Sequence, residues 1–376
     1  MSRSTTHSTT TATTPTPTTV ERSQFGEYDG KTVDRFVLTT DSGMKVSLIS
    51  YGAAIQELFV ADSDTGKLEN VVLGFTTLDG YLGKNPHFGS VLGRYAGRIG
   101  NASFPLDGEI VQVTANKAPN SAHGGAKPFD KFVWDSAIVD TEDGPGVRFS
   151  RTSPDGEEGY PGTLEVHVTY SLTADDGLRL FYEAATDKTT VINLTNHCYF
   201  NLTSEESGAV DEQFLQINAN RIAIVDEEQI PTGEVASVEG DSLDFREPKR
   251  LGDVVRDSAN PQIVIGRGID QSFIIDRPAP DDASLIEAAW IEDPITGRVM
   301  EIFTTEPTVH VYTGNSLDGS VAGYSGALYR QGDAICFETQ HLPDSPNHPG
   351  NPDFPSTVLR PGETFTSTTI YRFSAG

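Results

Sequence analysis

Sulfur, basic residues and long apolar runs are all scarce in this chain. Cysteine occurs twice, at Cys198 and Cys336. Two thiols make neither a disulfide framework nor a cysteine-based metal site, so each is read as a small packing residue. No run of 18 or more apolar residues occurs, so no transmembrane helix is expected. The first residues lack the apolar stretch of a secretory signal, and a cytoplasmic location with reduced thiols is the expectation. Lys and Arg number 27 against 54 Asp and Glu, a formal net charge of -27. Such a surface repels phosphate backbones and anionic lipid, which sets aside nucleic acid and membrane as partners. A strand–GxxxxGK[ST]–helix arrangement is missing, and no other motif calls for a cofactor or metal. Exact repeats are also missing, which disfavours a propeller.

Turn formers are abundant, with 36 Gly and 22 Pro in 376 residues, and 36% of residues are hydrophobic, enough for a sizeable core. Residues 1–19 are Ser/Thr/Pro-rich and too poor in large apolar side chains to offset the entropy of ordering, so they are expected to be a disordered tail. Residues 20–376 show no low-complexity linker and are expected to form one domain. Their rhythm is short and β-like. Apolar or alternating runs cover 32–38, 45–49, 54–60, 71–73, 163–170, 178–183, 191–202, 214–217, 299–303 and 308–312. Asp-Ser-Gly, Asp-Thr-Gly and Asp-Asp-Gly turns link several of them as hairpins. One short helix is expected within 251–257. The pattern predicts a large all-β fold of stacked, curved antiparallel sheets.

Chemistry-bearing residues stand at the edges of these runs. Glu338 follows an apolar run, 333–337, read as a buried strand that ends on the carboxylate. A loop with Pro343, Pro346, Pro349, His341 and His348 comes next. A carboxylate at a strand mouth is how a base is held on a rigid element, although a solvated strand end reads the same way. Arg94 and Arg98 lie among glycines, suited to holding hydroxyl oxygens or to pairing with nearby acids. His123 precedes two glycines in a turn. Asn193, Asn196, His197 and Asn201 interrupt an otherwise apolar run beside Tyr199. Buried polar groups need partners, so these point either to a site or to a satisfied core. The turn-rich stretch 153–162 either rims a cleft or is only a loop. Asp270 opens a strand after a glycine turn, and either accepts from a ligand or caps its own turn. Together these residues give an acid, a base, neutral and cationic donors and an acceptor, an inventory for proton chemistry on a polyhydroxylated neutral molecule.

Seven stretches in order carry a more specific signal: GRYAGRI at 93–99, NSAHGG at 120–125, SPDGEEGYPG at 153–162, TNHCYFNL at 195–202, GIDQSF at 268–273, YTGNSLDG at 312–319 and ETQHLPDSPNHP at 338–349. In these the chain resembles the aldose 1-epimerase, or galactose mutarotase, family over about 300 residues. The resemblance implies a large antiparallel β-sandwich of the galactose mutarotase type with a sugar in an open cleft and no cofactor. It implies that Glu338 is the general base at the anomeric hydroxyl and His197 the general acid at the ring oxygen. Arg98, His123 and Asp270 match substrate-binding positions, and Gly97, Tyr199 and Glu306 complete the expected set. Gly97 stands where the family often has Asn, and Glu306 is taken as a position that can be Gln. The substrate is expected to be a free aldohexose, with the protein a monomer or homodimer. Two other readings stay open: an enzyme for hexose 6-phosphates and a non-catalytic carbohydrate-binding protein. Nearby carboxylates are expected to keep His197 protonated. Glu338 and His197 are expected to face each other several ångströms apart, with room for a pyranose between them.

Overall fold

A computed structural model describes residues 18–279 and 282–375. Most of the expected tail, residues 1–17, lies outside them, and the first strand opens at Thr19. The strand ladders are antiparallel throughout. A nine-stranded sheet runs in the spatial order 135–141, 144–153, 164–172, 177–186, 365–375, 298–304, 286–292, 214–217 and 249–250. A six-stranded sheet runs Tyr199–Phe200, Ile335–Gln340, Thr308–Tyr312, Asp270–Ile274, Arg221–Val225 and Pro231–Ser237. A five-stranded meander, 19–70, completes the larger sheets.

Period-two alternation decides which faces meet. On the six-stranded sheet, Phe273, Val309, Val311, Ile335 and Phe337 point inward. They share one apolar cluster with Val147, Phe149, Val166, Val168, Leu180 and Tyr182 of the nine-stranded sheet and with Phe36 and Leu48 of the meander. The opposite face of the six-stranded sheet therefore carries Asp270, Ser272, His310, Tyr312, Cys336, Glu338 and Gln340. Cys198 and Cys336 are free and buried in the apolar clusters.

Several boundaries differ from the sequence reading. Glu338 does not end its strand; Ile335–Gln340 continues two residues past it, because its backbone is paired to Thr308–Tyr312 throughout. The run 191–202 is three short strands with three different partners. Its asparagines explain the breaks. Asn193 clamps Ala96 and His341 backbone groups, Asn196 donates to Gly89 O, and Asn201 donates to Gly208 O and Asp333 O. Residues 71–73 lie just past a strand that ends at Asn70. The 251–257 segment holds one 3₁₀ turn, Leu251–Asp253. Among the described residues the α-helices are Leu78–Leu82 and Pro261–Gly266. None is long and apolar enough to cross a membrane.

Candidate active site

Strand register builds the centre of the site. Tyr199 pairs with Cys336, and His197, two residues earlier on a short strand paired to Ser90–Leu92, brings its ring to Glu338. Glu338 pairs in turn with His310, and His310 with Ser272. The adjacent row reads Tyr199, Cys336, Tyr312, Asp270. Side chains directly opposed on one face lie about 5 Å apart at Cβ, so two neighbouring rows gather these groups without any loop being involved. They floor a cleft of about 510 Å³.

His197 Nε2 and Glu338 Oε1 are 3.6 Å apart, with the two residues 5% and 2% exposed. That is too long for a hydrogen bond and too short to admit a ring. A pyranose therefore does not fit between them, and a ligand must lie over the pair from the cleft side. Glu338 Oε2 and His197 Nδ1 have no hydrogen-bond partner among the described residues. The His197 ring is held by stacking on Tyr199, with centroids 4.9 Å apart, and by an edge contact to Tyr312 at 5.9 Å.

The electrostatics run against one sequence expectation. Burial, reinforced by the imidazoles of His87 and His310, pushes the His197 pKa down to about 3, so nearby carboxylates do not keep His197 protonated. Burial lifts Glu338 to about 7, with His310 opposing and Asp270 adding to the rise. Both shifts favour the proton on Glu338 over His197. His310 differs: burial disfavours its charge, but the hydrogen bond and charge of Asp270, with Glu338 behind, raise its pKa above the ordinary value. Its Nε2 lies 2.7 Å from Asp270 Oδ1, and its Nδ1 lies 2.8 Å from Ser272 Oγ.

The walls come from loops. His123 Nδ1 accepts from the Gly97 N–H at 3.3 Å, which leaves Nε2–H as its donor. Burial, then His87 and His197, holds His123 well below the usual imidazole range, so it serves as a neutral donor. Gly97 has φ +76°, and a Cβ there would sit 2.7 Å from Pro343 Cγ. Pro343 thus fills the space a side chain would take, and Gly97 acts through its backbone. Arg98 donates to Gln229 Oε1, and Gln229 Nε2 donates to Asp270 Oδ2.

Gly97, Arg98, His123, His197, Tyr199, Asp270 and Glu338 all line this cleft. Glu306 does not. It lies four residues before His310, roughly 13 Å along an extended strand at about 3.3 Å per residue. Its carboxylate is 2.7 Å from His341 Nδ1 and lines a separate cavity. Arg94 is also structural. It is buried, and donates to Ser153 O, Pro154 O, Pro161 O and Gly162 O, which pins the 153–162 turn away from the cleft. His348 contacts Pro231 O and Asp344, outside the lining. Sequence reasoning passed over His310, His87 and Gln229, and met Tyr312 only as the first residue of the stretch 312–319. For His310 and Tyr312 a signal existed: both are polar residues of one parity in the alternating strand 308–312. His87 is shown only by the fold, which sets it 2.7 Å from buried Asp130 and 5.9 Å, ring to ring, from His197.

Comparison with known proteins agrees with this architecture. The family model described as aldose 1-epimerase matches residues 34–372. Galactose mutarotase from Homo sapiens is 42% identical over 357 residues, covering 94% of this chain and 98% of that protein. Aldose 1-epimerase from Escherichia coli K12 is 35% identical over 348 residues, covering 92% and 97%. The crystal structure of galactose 1-epimerase from Lactobacillus acidophilus superposes with a TM-score of 0.82 at 29% identity, over 96% of this chain and all of that one.

Proposed function

The chain belongs to the aldose 1-epimerase family, and from that premise we propose that it interconverts the α and β anomers of free aldohexoses, with Glu338 as base and His197 as acid. The observation that carries the roles is the 3.6 Å approach of these two buried, otherwise unpartnered groups on the floor of one cleft. Glu338 takes the O1 proton while the O1–H electron pair forms C1=O1. The C1–O5 bond breaks, and its pair takes a proton from His197 Nε2 onto O5. Rotation about C1–C2 turns the aldehyde. Closure returns the O5 proton to His197 and the Glu338 proton to O1, on the opposite face. The pair needs only one proton in total. Moving it from Glu338 to His197 as the sugar binds gives the working state without exchange with solvent. Arg98, the Nε2–H of His123 and Asp270 hold ring hydroxyls, while Gly97 and Tyr199 shape the wall. We read residues 20–376 as one domain working in the cytoplasm as a monomer or homodimer.

Polarimetry of freshly dissolved α-D-glucose or α-D-galactose tests the assignment. His197→Ala and Glu338→Gln are each expected to lose about 10²–10⁴-fold of the catalysed rate while remaining folded. Full activity in either variant refutes the roles. Lys117 and Arg267, which line the cleft mouth without an ion-pair partner among the described residues, favour a second reading, a sugar bearing a phosphate. Competition by glucose 6-phosphate but not by glucose would support it. Against it, Arg94 is consumed by the fold, and Glu227 lines the same mouth.

A further inference from the structure

One side chain in the cleft ties its two polar walls together. Gln229 belongs to the turn between the strands Arg221–Val225 and Pro231–Ser237. Its amide oxygen accepts from Arg98 Nη2, and its amide nitrogen donates to Asp270 Oδ2. Asp270 continues the chain to His310, which is paired in register with Glu338. A primary amide suits this place. Arg98 offers only donors and an ionised Asp270 only acceptors, and an amide presents one of each with a fixed polarity.

The turn that presents Gln229 is built to hold it. Asp226 Oδ1 accepts from the N–H groups of Glu228 and Ile230, and Asp226 O accepts from Gln229 N–H. Glu228 Oε2 accepts from Asn120 Nδ2 at 2.6 Å, anchoring the turn to the loop that carries His123. Gln229 itself has φ +62°, a conformation that glycine adopts at less cost. Strain of this kind at a cleft is kept where the side chain has a use.

We infer that Gln229 is a positioning residue of the sugar site, which fixes Arg98 and Asp270 relative to each other so that a hydroxyl meets a prearranged donor and acceptor. This rests on the reading of the cleft as a sugar site. Gln229 touches neither His197 nor Glu338 by hydrogen bond, so its loss is read mainly in sugar affinity. Removing two hydrogen bonds to charged groups lets Arg98 swing toward solvent, and binding must then re-order it.

The test uses the full chain with Gln229→Leu and Gln229→Glu. For Gln229→Leu, KM for galactose and glucose is expected to rise about tenfold, with kcat within about twofold of wild type. Gln229→Glu keeps an acceptor for Arg98 but sets a second carboxylate against Asp270. Its KM is expected to climb as the pH rises from 5 to 8, a trend wild type does not share. Calorimetric titration with galactose should show the same loss of affinity in Gln229→Leu. Unchanged KM and Kd in that variant, or a fall in kcat alone, overturns the inference. If wild type binds galactose but does not speed its mutarotation, the catalytic reading fails, and the binding comparison still decides the role of Gln229.

Discussion

Replacing Glu338 by glutamine separates the stability effect of one carboxylate from its chemistry. Glu338 is 2% exposed, and its pKa stands at about 7 against an ordinary 4.5. The folded-state value is the higher one, so the ionised form is what folding disfavours. Below about pH 4.5 the carboxyl is protonated in both states and contributes no pH-dependent cost. As the pH rises through about 7, native stability falls by the full difference, about 3 kcal/mol at about 1.4 kcal/mol per pH unit. Glutamine cannot ionise. Its extra N–H donors impose a cost, but one that does not vary with pH. Unfolding entropy of about 2.1 cal/mol/K per residue makes about 3 kcal/mol worth about 4 °C in a chain of this length. Thermal unfolding of both proteins at pH 5 and pH 8 is the assay. Part of the loss has already occurred by pH 5, so Tm of Glu338→Gln minus Tm of wild type is expected to rise by about 3 °C between the two, while polarimetric activity is lost at both. A constant difference would mean that Glu338 ionises as an ordinary carboxylate and that its burial does not raise its pKa.

Asp130 behaves in the opposite sense: although burial resists, His87 and Lys131 hold its pKa at about 2. Its stabilisation is present above about pH 4 and lost as the pH falls toward 2. Asp130→Asn should therefore cost about 2 kcal/mol in urea unfolding at pH 6, with the gap from wild type closing near pH 2. Gly97→Ala places a Cβ 2.7 Å from Pro343 Cγ at φ +76° and is expected to lose about 2–4 kcal/mol in thermal unfolding and to raise KM as Pro343 shifts. In Asp270→Asn the partner that raises His310 is gone, so the NMR titration of the His310 ring should move to lower pH; an unmoved midpoint would contradict the 2.7 Å pairing.

The site was unevenly legible before folding. His197 and Glu338 stood out because each is an ionisable residue in an apolar, β-forming run, where burial needs a reason. His123, Arg98 and Asp270 stood out among glycines or at a strand opening. Glu306 was drawn into the same set by the family resemblance, as a position that can be Gln just before a strand that does enter the cleft. Its carboxylate instead pairs with His341 at the far end of that strand, and the cleft position belongs to His310. The asparagines at 193, 196 and 201 looked like site residues and are backbone clamps. A polar side chain in an apolar run announces only that it has a partner, without saying which.

The sequence by itself determined the fold class, since period-two alternation and Asp/Gly turns leave little but antiparallel sheet. It also determined the family, and it singled out the residues proposed here as acid and base, because these are matters of residue type in local context. Tertiary structure decided what depends on register between strands distant in sequence: that His197 and Glu338 stand at 3.6 Å, that His310 completes their row, and that Gln229 spans Arg98 and Asp270. It also decided the directions in which the pair's pKa values shift, because a pKa reports the burial and charge around a group, and those exist only once the sheets have closed over it.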